Sequence, residues 1–325
     1  MTLRTTLLSV ALAGTVALPV AAKELKFASF TAPQHTITYS VIEKLNEILT
    51  EATDGDVTVR GYYGGELGAG PAEQYVRVVQ GVADLSWGLP GYTSSQFGKT
   101  MIAELPAAVP PGMTGYEVLW NAFDGYLKPE FPAATPVALW TSEPNILIMK
   151  DHDIRTPADL AGLKVRVAGS TAADVASALG ATPVQMPMTE VYNALQTGLI
   201  DGVITGASTL SDFRLDEVAN SYTLGVPLGR LTMFTIMSQK SYDGLSDVAK
   251  KAIDDARPVL SKSAEEEWQQ TADAAVQAAR DAGNNTIIEL SSEEAQPFAD
   301  LVEPVAAKYR TSVNGDETFQ AMIGK

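Results

Sequence analysis

Between Asp159 and Gly202 the chain carries signals for a strand, two helices and a second strand, and that order restricts its fold more than any other stretch. Lys164-Val165-Arg166-Val167 alternates polar and apolar positions with β-branched residues, the pattern of a half-buried strand, so Val165 and Val167 face one way and Arg166 the other. Gly169, Ser170 and Thr171 form the loop that follows. Thr171 with Asp174 three residues on approximates a capping box, and Val175, Ala178 and Leu179 keep helical spacing up to Gly180, a suitable left-handed terminator. Arg166 thus lies near a strand end and a helix start. A guanidinium presents a planar fork to a carboxylate, and the free N–H groups of a helix start add positive potential, so the pair suits a small organic anion. The same spacing also suits an arginine paired to a structural Asp or Glu, and spacing by itself leaves both readings open.

The rest of the chain repeats the alternation. Leu25 to Ser29 reads as a strand, and Thr38 to Thr50 as a helix with Val41, Ile42, Leu45, Ile48 and Leu49 on one stripe; the loop between them is the rim of a cleft, where His35 either touches a ligand or, as a lone loop histidine more often does, faces solvent. Val57 to Tyr63 is a strand, Glu73 to Gln80 a helix, and Ala83 to Gly88 a strand, which together argue a parallel sheet with helices on its faces. Ligands of such sheets gather beyond the carboxyl ends of the strands. Trp87, Leu89 and Tyr92 stand at one of those ends, where Trp87 reads equally as core or as pocket wall. The glycine-rich Gly64 to Pro71 lacks both the Gly-Lys-Ser/Thr ending of a P-loop and the third glycine of a dinucleotide fingerprint, so neither is present. Ser142-Glu143-Pro144 breaks an apolar strand, and Asn145 to Lys150 resumes it, a natural crossing between two lobes. From Ser246 to Asp281 the pattern is helical, with Pro258 expected to bend or split it.

At 325 residues the chain exceeds one average domain, and its 46% hydrophobic content supports a sizeable core. Arg4, the apolar run from Leu7 to Leu18 and Val20-Ala21-Ala22 have the layout of a signal peptide cleaved after Ala22. With no cysteine, disulfides, thiol nucleophiles and cysteine metal sites are all excluded. Acidic residues outnumber basic ones 39 to 23, a formal charge of -16 that disfavours nucleic acid and anionic membranes as partners. The same field repels an anionic ligand, so affinity for one has to arise locally, at Arg166, in a site screened from solvent. Two histidines, His35 and His152, and no G-x-S-x-G offer a hydrolase or a zinc site little support.

The runs Gly162-Leu163-Lys164-Val165-Arg166-Val167, Leu179 to Val184 and Met188 to Gly202 closely resemble the solute-binding proteins of tripartite ATP-independent periplasmic (TRAP) transporters, and the likeness extends over the mature chain. The resemblance implies an α/β fold of two lobes, each a mixed, mostly parallel sheet flanked by helices, with a long bent helix bracing both. It implies lobes at 23–143 with about 230–258, and at 144–229 with about 259–325, after the leader at 1–22. It implies a periplasmic monomer, without cofactor or metal, that is not an enzyme and that serves TRAP membrane permease subunits. Arg166 matches the family's carboxylate-binding arginine. Where sugar-acid binders carry extra polar groups, this chain has Leu89, Ile146 and Thr205. A buried sugar hydroxyl without a partner costs roughly 1–3 kcal/mol, so the expected ligand has one carboxylate and an apolar or aromatic body. Phe30, Trp87, Leu89, Tyr92, Asn145, Thr205 and Met186 or Phe234 are the expected contacts. A ligand-sensing domain for a signalling partner, or a hydrolase of organic acids, is the alternative.

Overall fold

The computed structural model describes residues 22–325, so the leader expected at 1–22 lies, apart from Ala22, outside the described residues. Eleven strands follow one another there: β1 (Lys23–Ala28), β2 (Val57–Tyr62), β3 (Leu85–Gly88), β4 (Ala134–Thr141), β5 (Asn145–Met149), β6 (Lys164–Val167), β7 (Thr182–Gln185), β8 (Gly202–Gly206), β9 (Ser221–Leu224), β10 (Thr232–Ser238) and β11 (Thr286–Glu289). They form two sheets, one per lobe, ordered β2-β1-β3-β10-β4 and β11-β9-β5-β8-β6-β7.

Strands joined by helices within a lobe run parallel, as β1 does to β2 and β3, and β6 to β7 and β8. Antiparallel pairing enters with the strands that carry the chain between lobes. β5 continues β4 straight across Ser142-Glu143-Pro144 and lies antiparallel to β8 and β9, and β10 returns antiparallel to β3 and β4. The two crossings hydrogen-bond to each other: Ser142 N–H donates to the Leu231 carbonyl at 2.8 Å, Asn145 N–H to the Gly229 carbonyl at 2.9 Å, and Arg230 Nη1 to the Ser142 carbonyl at 2.8 Å. Tied together, they make one hinge.

The helix Asp247–Ala282 is continuous for 36 residues, roughly 54 Å, with Pro258 inside it, so the proline does not split it. Ser246 caps its start and Gly283, at φ 71°, ends it in the left-handed conformation. Ala249, Ile253, Ala256, Leu260, Ala264 and Trp268 pack in the first lobe's core, and Ala272, Ala275, Val276 and Ala279 in the second lobe's. Its packing therefore changes lobe after Trp268, not at 258/259. The chain end also departs from the expected division. Phe298 and Val302 of the helix Ser292–Ser312 pack on the second lobe, while Ala306 and Met322 return to the first.

The lobes touch along the cleft. Ser170 N–H reaches Ser94 Oγ at 3.4 Å, and the backbones of Gly91 and Gly169 meet so closely that a Cβ on Gly169 would stand 2.6 Å from Gly91 Cα. At φ -156° Gly169 has extended backbone that any residue adopts, so the requirement for glycine is steric. Gly169→Ala is expected to hold the lobes apart without unfolding either. Small-angle scattering should show a larger radius of gyration beside an unchanged circular dichroism spectrum; an unchanged radius would mean that the two loops slide past each other.

Candidate functional site

β1 and β3 are parallel neighbours, so the residues after their carboxyl ends emerge side by side into the cleft. Phe30 and Trp87 stack there, centroids 4.5 Å apart at 18°, and Trp87 Nε1 donates to Ser29 Oγ at 3.1 Å. From the second lobe, Thr205 and Gly206 end β8 opposite them. Together with Leu89, Tyr92, Met188, Met233, Phe213 and Trp268 these residues line a small cavity between the lobes. Its walls are mostly apolar.

Arg166 is fully buried. Its strand lies between β7 and β8, which holds the side chain beside the loop that follows β7. Nε donates to the Met186 carbonyl at 2.9 Å and Nη2 to the Tyr92 hydroxyl at 3.4 Å, while Nη1 is buried with no hydrogen-bond partner. No carboxylate forms an ion pair with it among the described residues, and burial lowers its pKa. Of the two readings the spacing left open, a structural Asp or Glu partner is therefore absent from these contacts. The guanidinium sits one layer behind the wall, against Tyr92. The Tyr92 oxygen accepts from Arg166 and from Met188 N–H at 3.1 Å, so its own proton stays free to donate. Thr205 Oγ1, on the wall, is likewise buried without a partner.

Three buried carboxyls bond to residues of the cleft and hinge, all with pKa values raised by burial, and Asp212 alone of them lines the cavity. Asp212, pushed up to about 6, accepts from Thr36 N–H at 3.2 Å and Thr36 Oγ1 at 2.8 Å. Glu143, pushed up to about 7, accepts from Ser208 N–H at 2.7 Å and leaves Oε2 unpartnered. Glu104, also pushed up to about 7, joins the lobes by accepting from the Thr171 hydroxyl on one side and from Thr232 N–H at 3.2 Å on the other. Thr171 is thus not the cap its spacing predicts. The helix begins at Ser170 with Gly169, which has no side chain to cap it, as its N-cap, and the Thr171 hydroxyl, already inside the first turn, donates across the cleft to Glu104.

His35 is the largest departure from the sequence reading. It is not a solvated rim residue but a buried one, with ring centroids 5.2 Å from Trp87, 5.2 Å from Phe213 and 5.6 Å from Trp268. Burial lowers its pKa to about 3, so the imidazole is neutral, and the 3.6 Å approach of Nε2 to Asp212 Oδ2 is not an ion pair.

Of the expected contacts, Phe30, Trp87, Leu89, Tyr92 and Thr205 come together on the wall, with Arg166 behind Tyr92. Met186 reaches the site through its carbonyl, and the side chain on the wall is Met188. Asn145 stays at the hinge, where Nδ2 donates to the Leu228 carbonyl at 3.3 Å. Phe234 is not brought to the cavity: it sits on the opposite face of the sheet against Tyr75, Phe97 and Phe131, and its neighbour Met233 faces the cleft. A strand alternates faces at every residue, so choosing between adjacent apolar positions needed the register of β10. Sequence reasoning missed Asp212 and Phe213, which lie in an irregular stretch with no periodic signal. Trp268 was legible only as part of a helical stripe. Among the described residues no three His, Asp or Glu side chains gather as metal ligands would, and no helix is long and apolar enough to cross a membrane.

A family model described as "Bacterial extracellular solute-binding protein, family 7" matches residues 27–312. The C4-dicarboxylate-binding periplasmic protein DctP of Rhodobacter capsulatus is 28% identical over 310 residues, covering 92% of this chain and 89% of that protein. A TRAP solute-binding protein from Rhodoferax ferrireducens, solved in complex with copurified benzoate, superposes with a TM-score of 0.86 at 27% identity, covering 93% of this chain and 96% of that one. A marine-metagenome TRAP solute-binding protein specific for aromatic acid ligands, solved with 3-hydroxybenzoate, gives a TM-score of 0.85 at 25% identity, covering 93% and 97%.

Glu104 titrates far above its ordinary value of 4.5, so the folded protein binds a proton that the unfolded chain has released. Its contribution to stability is complete below pH 4.5 and is lost as pH rises through about 7. Glu104→Gln, uncharged and of similar shape, removes this dependence. Relative to the variant, the natural protein should lose on the order of 3 kcal/mol across that window, read from urea midpoints at its two ends; parallel pH profiles would show that Glu104 does not titrate there.

Proposed function

We propose a ligand class for this chain, which belongs to the bacterial extracellular solute-binding proteins of family 7 and is a solute receptor of a TRAP transporter. Such receptors take small organic acids and hand them to membrane permease components; this one is a transport protein, not an enzyme. Its ligand is a monocarboxylate with an aromatic or otherwise weakly polar body. The carboxylate reaches Arg166 at the corner where Tyr92, Met188 and Thr205 line the cavity, and the Tyr92 and Thr205 hydroxyls complete its hydrogen bonds. The body lies against Phe30, Trp87, Leu89 and Trp268, whose side chains carry few polar atoms for a ring of sugar hydroxyls. Because these contacts come from both lobes, the ligand favours the closed form over the open one, and closure is what a permease can sense.

The observation that carries this reading is the buried Nη1 of Arg166, without a partner inside a molecule of formal charge -16. A buried charge stripped of its partner costs on the order of 3–5 kcal/mol, so the site is incomplete until an anion arrives. The benzoate copurified with the Rhodoferax relative agrees in kind. We assign the receptor to the periplasm as a monomer, released from its leader after Ala22.

Arg166→Ala should reduce benzoate affinity at least about a hundredfold, a loss of ~2.7 kcal/mol, measured by isothermal titration on a variant with an unaltered circular dichroism spectrum. Arg166→Lys should recover part of it, since a point charge replaces the fork. Benzoate affinity that survives Arg166→Ala would remove the guanidinium from the binding site.

A further inference from the structure

The cavity has a second polar corner, formed by Asp212 and His35, that the carboxylate does not use. Asp212 ends the short helix Thr209–Asp212, which leaves the carboxyl end of β8 and contacts the first lobe through Thr36 and His35. Arg166 pairs with Val203 near the start of β8 and reaches the first lobe through Tyr92. The two corners are thus attached to different segments of both lobes, with the stacked Phe30 and Trp87 rings in the same wall.

The hydrogen-bonding state of this corner follows from its neighbours. Ile37 N–H donates to His35 Nδ1 at 3.1 Å, so in the neutral ring the proton sits on Nε2. Nε2 has no acceptor within hydrogen-bond distance among the described residues; the nearest, Asp212 Oδ2, stands 3.6 Å away. The Asp212 carboxylate takes two hydrogen bonds, both from Thr36, out of about four it can accept. A donor and an acceptor, each with spare capacity, therefore face one another beside the cavity.

We propose that this corner selects acids carrying a hydroxyl group away from the carboxylate, its oxygen accepting from His35 Nε2 while its proton goes to Asp212. A hydroxyl satisfies both groups at once. An ammonium donates to Asp212 but cannot accept from His35, a second carboxylate is repelled by Asp212, and a methyl or halogen leaves both unsatisfied. Sites built to hydrogen-bond a substrate hydroxyl reject analogues that lack it far more strongly than apolar sites reject an added methylene. The inference rests on the carboxylate at Arg166 proposed above and adds the other end of the ligand.

The test compares benzoate and phenylacetate with their 3-hydroxy and 4-hydroxy derivatives by isothermal titration on the natural protein, Asp212→Asn and His35→Phe. On the natural protein at least one hydroxy acid should bind about tenfold or more tightly than its parent. In both variants the ratio of hydroxy-acid to parent affinity should fall towards one, with folding checked by thermal melting. The proposal is overturned if no hydroxy acid outbinds its parent, or if the ratio persists in both variants. Parents whose binding depends on Arg166 while hydroxylation adds nothing would sink this inference alone; binding indifferent to Arg166→Ala would sink the carboxylate assignment instead. If none of these acids binds the natural protein, both readings fail.

Discussion

Taking a guanidinium out of water is unfavourable unless something answers its charge, and here nothing within the described residues does so for Arg166. Its two bonded nitrogens meet neutral acceptors, a carbonyl from its own lobe and a phenol from the other. The second bond exists only when the lobes are together, so the charge that lacks an anion also stands at the seam that an anion would close. An overall negative charge strengthens that logic: the long-range field discourages anions, so attraction for one has to arise locally, at a screened positive group.

The architecture keeps that seam adjustable. Two crossing segments, hydrogen-bonded to each other, give a single hinge, and the helix Asp247–Ala282 lies along both cores. Around the cleft the lobes meet through specific contacts, among them glycine against glycine, Ser94 with Ser170, Thr36 with Asp212, Glu104 with Thr171, and Tyr92 with Arg166 and Met188. Such contacts shape the closed state without fastening it, as a receptor that must release its cargo requires.

The apolar interior also governs the acids around it. Asp212, Glu143 and Glu104 all have pKa values raised by burial, and the same low polarity holds His35 neutral. Apolar surroundings thus raise the proton affinity of the carboxyls and lower that of the imidazole.

Local pattern determined what period and chemistry can express. The alternation at Lys164–Val167 put Arg166 on a strand, the run of strands and helices implied sheets with ligands at their carboxyl ends, and Trp87, Leu89 and Tyr92 were legible as wall candidates for that reason, while Phe30 and Thr205 came from the family resemblance. What crosses the cleft was not legible. Phe234 and Met233 differ only in which face of β10 they occupy, and register decides that. His35 and Asp212 are 177 positions apart in sequence and adjoin only because the lobes close on each other. Thr171 is not the cap its own spacing predicts, since the helix starts at Ser170, and its hydroxyl instead meets Glu104 from the other lobe. A chain's periodicity records which side of an element turns inward; only packing decides which two inward sides meet, and the chemistry of this site lies where they do.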